Sequence, residues 1–282
     1  MQPSVLDETI SQALASLERR DVLRPSALYL LSTGVGVLSG RLTRAGRLPF
    51  SKLEGVPHAW QDSLLHWGLL EGLPIWLVEN SPLDREAGEA EWQRAWPMWL
   101  AAAAGASTFV HTCAGASLDA SCPPGTLALL SDHVNLSGTT PLLALGSSRL
   151  GAQFPDVSRV HDASLRKAAA ELCRSLGLAV AEPVGACAVG PTIETPAERR
   201  WMGHCGAQVS AQELAAPLIA AAHSGLGGLS IVVVVHEGDD PVDIALVAAR
   251  AEKLAPALDD LLSKLALAVQ EQVRDRLAEL EG

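Results

Sequence analysis

The strongest candidate for chemistry in this sequence is a carboxylate, Glu194, within the stretch GPTIETPAERRWMGHCGA at Gly190–Ala207. A hydrophobic run leads into this stretch, and a Gly-Pro pair ends the run. Thr195 suits a helix N-cap, Pro196 suits the first helical turn, and Glu198 completes a capping box. Glu194 is therefore predicted at a strand-to-helix junction, where open α/β sheets bind ligands. The alternative is an ordinary surface carboxylate on a helix-start turn.

A second candidate is the turn Ser-Thr-Gly-Val-Gly at residues 32–36, which follows the apolar run Ala27–Leu31. A strand followed by a turn of glycines and small hydroxyl residues presents backbone N–H groups that can hold an anion. Many strand-to-helix turns contain two glycines, so the pattern alone is weak. It indicates an anion site near Thr33 and Gly34.

Two further patterns suggest nucleophiles at first sight. Cys113 follows the predicted strand Ser107–Thr112, but no histidine or asparagine partner is evident, so a buried, inert thiol is the simpler interpretation. His133 stands between Asp132 and Asn135, but adjacent side chains on an extended chain point to opposite faces. We interpret that segment as structural, holding loops near the site.

The elements that must position these residues follow from hydrophobic patterning. Helical periodicity is predicted over Ser4–Arg19, along the tryptophan stripe Trp92, Trp96 and Trp99, from about Asp162, over Ser210–Ala222, and over Pro241–Leu280 with an interruption at Pro256. Six apolar runs read as strands: Ala27–Leu31, Leu73–Val78, Ser107–Thr112, Leu127–Leu130, Leu178–Val189 and Leu229–Val235. The pattern predicts a single α/β domain over residues 1–282, with a mixed, partly parallel central sheet flanked by helices. The carboxyl ends of the strands should converge on one cleft.

Composition excludes several classes of function. The net charge of −11 argues against a nucleic-acid partner. Hydrophobic residues make up 48% of the chain, but no apolar run reaches the roughly 18 residues of a membrane span. Five scattered cysteines without C-x-x-C spacing suggest neither a zinc site nor a disulfide scaffold, and we expect no bound metal. The N-terminal sequence lacks a signal-peptide pattern, so a cytoplasmic protein with reduced thiols is expected.

Three stretches carry a resemblance to a known family. The sequence at Gly190–Ala207 resembles the Gly-Pro-x-x-Glu-Thr-Pro-Ala-Glu signature of the trimeric purine nucleoside phosphorylase and methylthioadenosine phosphorylase family. SDHVNLSGTTPL at Ser131–Leu142 is similar to the family's Asp-His-Ile-Asn-Leu segment, and FPDVS at Phe154–Ser158 also agrees. The resemblance implies a nucleoside phosphorylase-like fold. It also implies a pentosyltransferase that converts a purine nucleoside and phosphate into free purine and pentose 1-phosphate, with phosphate as co-substrate and no cofactor.

The resemblance assigns phosphate binding to the turn that contains Thr33 and Gly34. The family's phosphate-gripping arginine and histidine fall on Ser81 and Leu83 here, so Arg85 is the candidate replacement on a shifted loop. The alternative is a solvated acidic loop in which Arg85 makes an ordinary salt bridge.

The resemblance also implies a nucleoside site. Glu194 and His236 are the implied catalytic residues, and His236 occupies the position of the family's purine-binding asparagine. Phe154 would reach a neighbouring subunit's sugar pocket, which implies a homotrimer, although a hetero-oligomer with a paralogue is possible. The nucleoside-binding set is Thr112, Cys113, Ile193, Glu194, Gln212, Glu213 and Phe154.

One substitution, at Glu213, leaves the activity open, because that position holds a phosphate-binding serine in the family. A carboxylate about 4 Å from phosphate costs on the order of 4 kcal/mol at an effective dielectric constant near 20. Three hypotheses follow. The protein is a phosphorylase that uses Arg85, or a catalytically impaired homologue that binds a nucleoside or a paralogous subunit. The third is a nucleoside hydrolase in which Glu213 activates water.

Overall fold

The computed structural model describes residues 4–32, 37–79, 90–143, 145–237 and 242–281. The positions expected to hold phosphate, Thr33, Gly34 and Arg85, lie outside these ranges, as do Ser81 and Leu83. Within the described ranges the chain forms eleven strands and seven α-helices, together with three short 3-10 helices. No helix in these ranges combines the length and apolarity needed to cross a bilayer.

The strands and helices are as follows. The strands are β1 (Ala27–Leu31), β2 (Thr43–Pro49), β3 (Leu64–Leu70), β4 (Leu73–Glu79), β5 (Thr108–Ser117), β6 (Leu127–Leu129), β7 (Asp132–Asn135), β8 (Val180–Ala181), β9 (Val184–Cys187), β10 (Val209–Ala211) and β11 (Gly227–His236). The helices are α1 (Val5–Glu18), α2 (Glu91–Arg94), α3 (Trp96–Ala104), α4 (Ala163–Ser175), α5 (Pro196–His204), α6 (Ala215–His223) and α7 (Ile244–Glu281). The 3-10 helices are Leu38–Arg41, Phe50–Lys52 and His58–Trp60.

All eleven strands belong to one mixed sheet. One path runs β2-β3-β4-β1-β5-β10-β9-β7, and β11 pairs with the other edge of β5 and continues to β6 and β8. β1 is parallel to β4 and β5, and β11 is parallel to β5, whereas β10 is antiparallel to β5. The predicted α/β class with a mixed, partly parallel sheet is therefore confirmed.

The six predicted strand regions all contain strands, but some boundaries were wrong. Leu178–Val189 holds two strands, β8 and β9, because Pro183 between them cannot donate a ladder hydrogen bond. Ser210, predicted to begin a helix, lies in β10, and α6 begins only at Ala215. α7 continues through Pro256, which is exposed, so that water can reach the carbonyl left without an N–H partner.

The core lies on both faces of the sheet. One face packs against α1, α3 and α6 and contains the fully buried side chains of Trp60, Trp96 and Trp99, while the other face packs against α4 and α7. The indole N–H of Trp60 donates to the Gln93 carbonyl at 2.6 Å, and that of Trp96 donates to the Thr9 hydroxyl at 3.3 Å. The tryptophan stripe is thus part of the core.

Candidate active site

The cleft opens where strand β5 changes its neighbour. β1 ends at Leu31, opposite Thr112, and β10 pairs with β5 only at Ala116 and Ser117. No described strand pairs with this edge of β5 between these points, at the carboxyl end of β1, where α/β sheets bind ligands. The cavity there has a volume of about 330 Å³, within the range of small-molecule sites. It is lined by Ser32, Ala114, Gly115, Ala116, Ile193, Glu194, Ser210, Ala211, Gln212, Glu213, Val235, His236, Val242 and Val247.

The cleft brings together five of the sequence-predicted site residues, and others lie elsewhere. Its lining includes Ile193, Glu194, Gln212, Glu213 and His236. By contrast, the side chains of Thr112 and Cys113 are fully buried and do not line the cleft, and residues 114–116 line it in their place. β5 is extended up to residue 117, five residues beyond its predicted end, which moves the cleft-lining positions along the strand. Phe154 also lies outside the lining and is 90% exposed.

Glu194 is held by the start of helix α5. The predicted capping box is present: the Thr195 hydroxyl accepts from the Glu198 amide at 3.3 Å, and the Glu198 carboxylate accepts from the Thr195 amide at 2.7 Å. Arg199, only 5% exposed, donates to the backbone carbonyl of Glu194 at 2.8 Å. Arg199 is a positioning residue that the sequence reasoning missed, because one arginine of an Arg-Arg pair on a short helix gives no sign of being buried.

Gln212 fixes the side chain of Glu194. Its amide nitrogen donates to the Thr192 carbonyl at 2.7 Å and lies 3.5 Å from Glu194 Oε1. Any Cβ at position 190 would collide with the Gln212 side chain, so the glycine at this position is required for the arrangement. Gln212, which is predicted to contact the nucleoside, therefore also orients the Glu194 carboxylate that lines the cleft.

His236 ends β11 beside the same carboxylate. Its Nε2 is buried and has no hydrogen-bond partner within the described ranges. Burial lowers the pKa of the imidazole, and the positive charges of Arg199 and Arg250 lower it further, against smaller opposing effects of Glu194 and Glu237. A lowered pKa means that His236 is neutral at pH 7 and offers one N–H donor and one bare nitrogen.

We expect the lowered pKa of His236 to appear in the pH dependence of ligand binding. The imidazole stays neutral above its lowered pKa, so purine affinity should stay level from pH 8 to the ordinary value of 6.5. At lower pH the affinity should rise, because the protonated ring donates a charge-assisted hydrogen bond. The measurement is the dissociation constant of a purine nucleoside across this range, by calorimetry. His236→Gln should lose this rise, and a parent protein whose affinity already changes between pH 8 and 7 would contradict the assignment.

Glu213 lies beside Ser32, the first residue of the glycine turn. Both carboxylate oxygens are buried, and neither makes a hydrogen bond of good geometry within the part of the chain that the structure describes, although the Ser32 hydroxyl lies close enough to lower the pKa. Burial raises the pKa of Glu213, and the Ser32 hydroxyl and the Arg94 guanidinium offset only part of that rise. A raised pKa increases the protonated fraction, and a protonated carboxyl group can donate a hydrogen bond. The repulsion expected between Glu213 and phosphate is correspondingly weaker than for a permanently charged group.

Comparisons with known proteins identify the family. Residues 34–266 match the family model described as "Phosphorylase superfamily". Purine nucleoside phosphorylase 1 of Geobacillus stearothermophilus is 31% identical over 228 residues, which cover 79% of this chain and 82% of that protein. The chain belongs to the purine nucleoside phosphorylase family.

A second relative and a solved structure support the same family and fold. Purine nucleoside phosphorylase 1 of Bacillus subtilis is 27% identical over 234 residues, covering 80% of this chain and 84% of the relative. A Schistosoma purine nucleoside phosphorylase solved with hypoxanthine superposes with a TM-score of 0.83 over 94% of this chain and 98% of that one, at 21% identity. This structural likeness shows that the chain has the purine nucleoside phosphorylase fold.

Proposed function

We propose that this protein is a pentosyltransferase that binds a purine nucleoside in the β5–β10–β11 cleft and transfers its pentose to phosphate. The observation that carries the proposal is the convergence of Glu194, Gln212, Glu213 and His236 on one cavity of nucleoside size. Family membership supports the same reaction class.

In the proposed complex the purine ring lies between Glu194 and His236. The Glu194 carboxylate accepts hydrogen bonds from the N–H edge of the ring, and the neutral imidazole of His236 donates to a ring nitrogen. As the glycosidic bond breaks, negative charge develops on the leaving purine. The nearby positive charges of Arg199 and Arg250, which already lower the His236 pKa, favour that charge.

We propose that phosphate binds beside Ser32 and Glu213, with Thr33, Gly34 and Arg85 as the expected contacts. Support comes from Glu213 and Ser32, which line the cleft at the carboxyl end of β1. A protonated Glu213 would donate to a phosphate oxygen in the role that the family's serine has. An ionised Glu213 instead favours a second function, phosphate-independent hydrolysis, because a buried carboxylate with a raised pKa suits a general base for water.

A phosphate titration of nucleoside cleavage separates these functions. For a phosphorylase, the rate should saturate with phosphate, and the phosphate KM should rise with pH as Glu213 ionises. Phosphate itself also titrates in this pH range, so a matched control is needed. Glu213→Gln carries no charge at position 213 at any pH and should therefore lose the part of the KM rise that ionisation of Glu213 causes. Glu213→Ser should lower the phosphate KM at pH 8 by roughly tenfold, equivalent to about 1.4 kcal/mol of relieved repulsion.

The other outcomes of that titration are equally specific. Turnover without phosphate that disappears in Glu213→Gln would establish the hydrolase. No turnover in the parent with purine binding intact would indicate a catalytically impaired homologue. A parent phosphate KM that does not change with pH, and that matches the KM of Glu213→Gln, would mean that Glu213 does not face phosphate.

We also propose a cytoplasmic homotrimer in which Phe154 packs near a neighbour's cleft; a hetero-oligomer with a paralogue is the alternative assembly. The support is that Phe154, a large aromatic side chain, is 90% exposed, which is typical of an aromatic anchor at an interface. Light scattering should give the mass of three chains for the parent protein and a smaller mass at equal concentration for Phe154→Ala. A monomeric parent at micromolar concentration would contradict the proposal.

A further inference from the structure

A cluster of metal-binding side chains lies at one edge of the sheet, and none of its members lines the nucleoside cleft. It consists of Asp132 and His133 on β7, the last strand of its sheet path, and His161, which immediately precedes the N-cap of α4. We propose that Asp132, His133 and His161 bind one divalent transition-metal ion, with Zn²⁺ preferred. A bound ion would link β7, the edge strand, to the segment before α4 that contains Phe154.

The spacing of the ligand atoms fits a single ion. His133 Nδ1 and His161 Nε2 are 3.0 Å apart, and one ligand atom from each of the three residues lies within 4.8 Å of the others. Two imidazole nitrogens that share a tetrahedral zinc ion at about 2.0–2.1 Å each are separated by about 3.3 Å. The histidine pair therefore needs to widen by only about 0.3 Å to chelate an ion.

Regular structure holds the cluster in place before any ion arrives. His133 is in register with Gly185 in the parallel β7–β9 pair, and His161 forms a β-bridge to Gly228. Asp132 Oδ1 accepts from the His133 backbone amide at 2.7 Å, which orients the carboxylate. Metal sites built on rigid elements and oriented by such hydrogen bonds need little rearrangement to bind.

The charges around the cluster also suit a cation. Asp132 places a carboxylate oxygen within 4.8 Å of the two imidazole nitrogens. Arg166, the cation that acts on His161, is paired with Glu182 at 3.1 Å, which offsets its charge.

The donor set selects the class of ion. Imidazole nitrogen favours zinc and its transition-metal neighbours over magnesium or calcium, which prefer all-oxygen ligands. His161 Nδ1 is buried and finds no acceptor among the described residues, so the site lacks one outer-shell partner of the kind whose loss typically costs about 10–100-fold in affinity. We therefore expect micromolar rather than nanomolar zinc binding. The competing explanation is a plain imidazole–imidazole hydrogen bond with no ion.

The test is zinc calorimetry and cobalt absorption on the full-length, untagged protein in a Cys205→Ser background, because Cys205 is the exposed thiol and could bind metal itself. The background protein should bind one equivalent of Zn²⁺, and Co²⁺ should give visible d–d bands. His133→Gln and Asp132→Asn should each weaken zinc binding at least tenfold and remove or shift the cobalt bands. His58→Gln, which changes an exposed histidine, should leave both unchanged.

Melting curves in EDTA guard against a folding artefact. His133→Gln removes the His133–His161 hydrogen bond, so its melting temperature in EDTA serves only as its own baseline. Zinc should raise the melting temperature above that EDTA baseline in the background protein and leave it unchanged in His133→Gln. Equal zinc affinity in the background protein and His133→Gln, or cobalt bands that persist in both cluster variants, would overturn the proposal and leave the plain hydrogen bond as the explanation.

Discussion

Glu194→Ala should weaken purine nucleoside binding by about 1.5–3 kcal/mol, or roughly 10- to 150-fold, because it removes a charged acceptor from the purine edge. Glu194 lines the cleft, and the Gln212 amide nitrogen lies 3.5 Å from its Oε1. The measurement is the dissociation constant of a purine nucleoside without phosphate, which separates binding from turnover.

Two control variants make the Glu194 result specific. Glu194→Gln keeps the shape of the side chain but replaces one acceptor oxygen with a donor, so it should lose most of the same affinity. Glu252→Gln changes an exposed carboxylate on α7 and should bind as the parent does. Unchanged purine affinity in Glu194→Ala would mean that the motif around Thr195 serves only the fold.

Trp99→Ala should lower the free energy of unfolding by about 3–5 kcal/mol, the usual range for removing a buried aromatic side chain. Trp99 is fully buried on α3, and its indole N–H donates to His223 Nδ1 at 3.0 Å across to α6. The two rings meet edge to face, with centroids 5.9 Å apart. Urea denaturation followed by circular dichroism measures the change.

The loss of unfolding free energy expected for Trp99→Ala has two parts, one from packing and one from hydrogen bonding. Trp99→Phe keeps much of the volume but leaves a buried acceptor on His223 unpaired, so a loss of about 1–3 kcal/mol is expected. Trp201 is 56% exposed on α5, and Trp201→Ala should stay within about 0.5 kcal/mol of the parent. A Trp99→Ala protein as stable as Trp201→Ala would show that the α3–α6 contact is not a major source of stability.

The sequence predicted the fold wherever the local signal was long and unmixed. The run of valines in β11 and the apolar run of β1 have strong strand propensity, and the capping boxes at Ser4 and Thr195 mark helix starts through side chains that pair within one turn. β2 has a polar, mostly exposed sequence, and β10 has only three residues, so neither carries a periodic signal. Both β2 and β10 form because they pair with other strands of the sheet, which the local sequence does not reveal.

The site was only partly predictable, for a similar reason. The motif around Glu194 and the strand end at His236 are local features, and the cavity contains both. The burial of Arg199 and the pKa shift of Glu213 depend on packing between residues far apart in sequence. So does the contact between His133 and His161, which are 28 positions apart and whose chemistry appears only when β7 and the start of α4 meet. The thiol of Cys113 is buried inside the sheet, as predicted from the sequence.

The edge of β5 that no described strand covers has a mechanical consequence. One continuous strand belongs to both parts of the sheet, with β1 and β4 on its first half and β10 and β9 on its end. β11 pairs with the other edge of β5 from Thr108 to Ala116 and so joins the two parts. Sheets twist along their strands, and we expect a bound ligand to fix the torsion of β5 between the two parts. Spin-label distances between β2, on the β1 side of the sheet, and α5, which packs on β10, should then narrow in distribution when a purine nucleoside is added and stay broad without it.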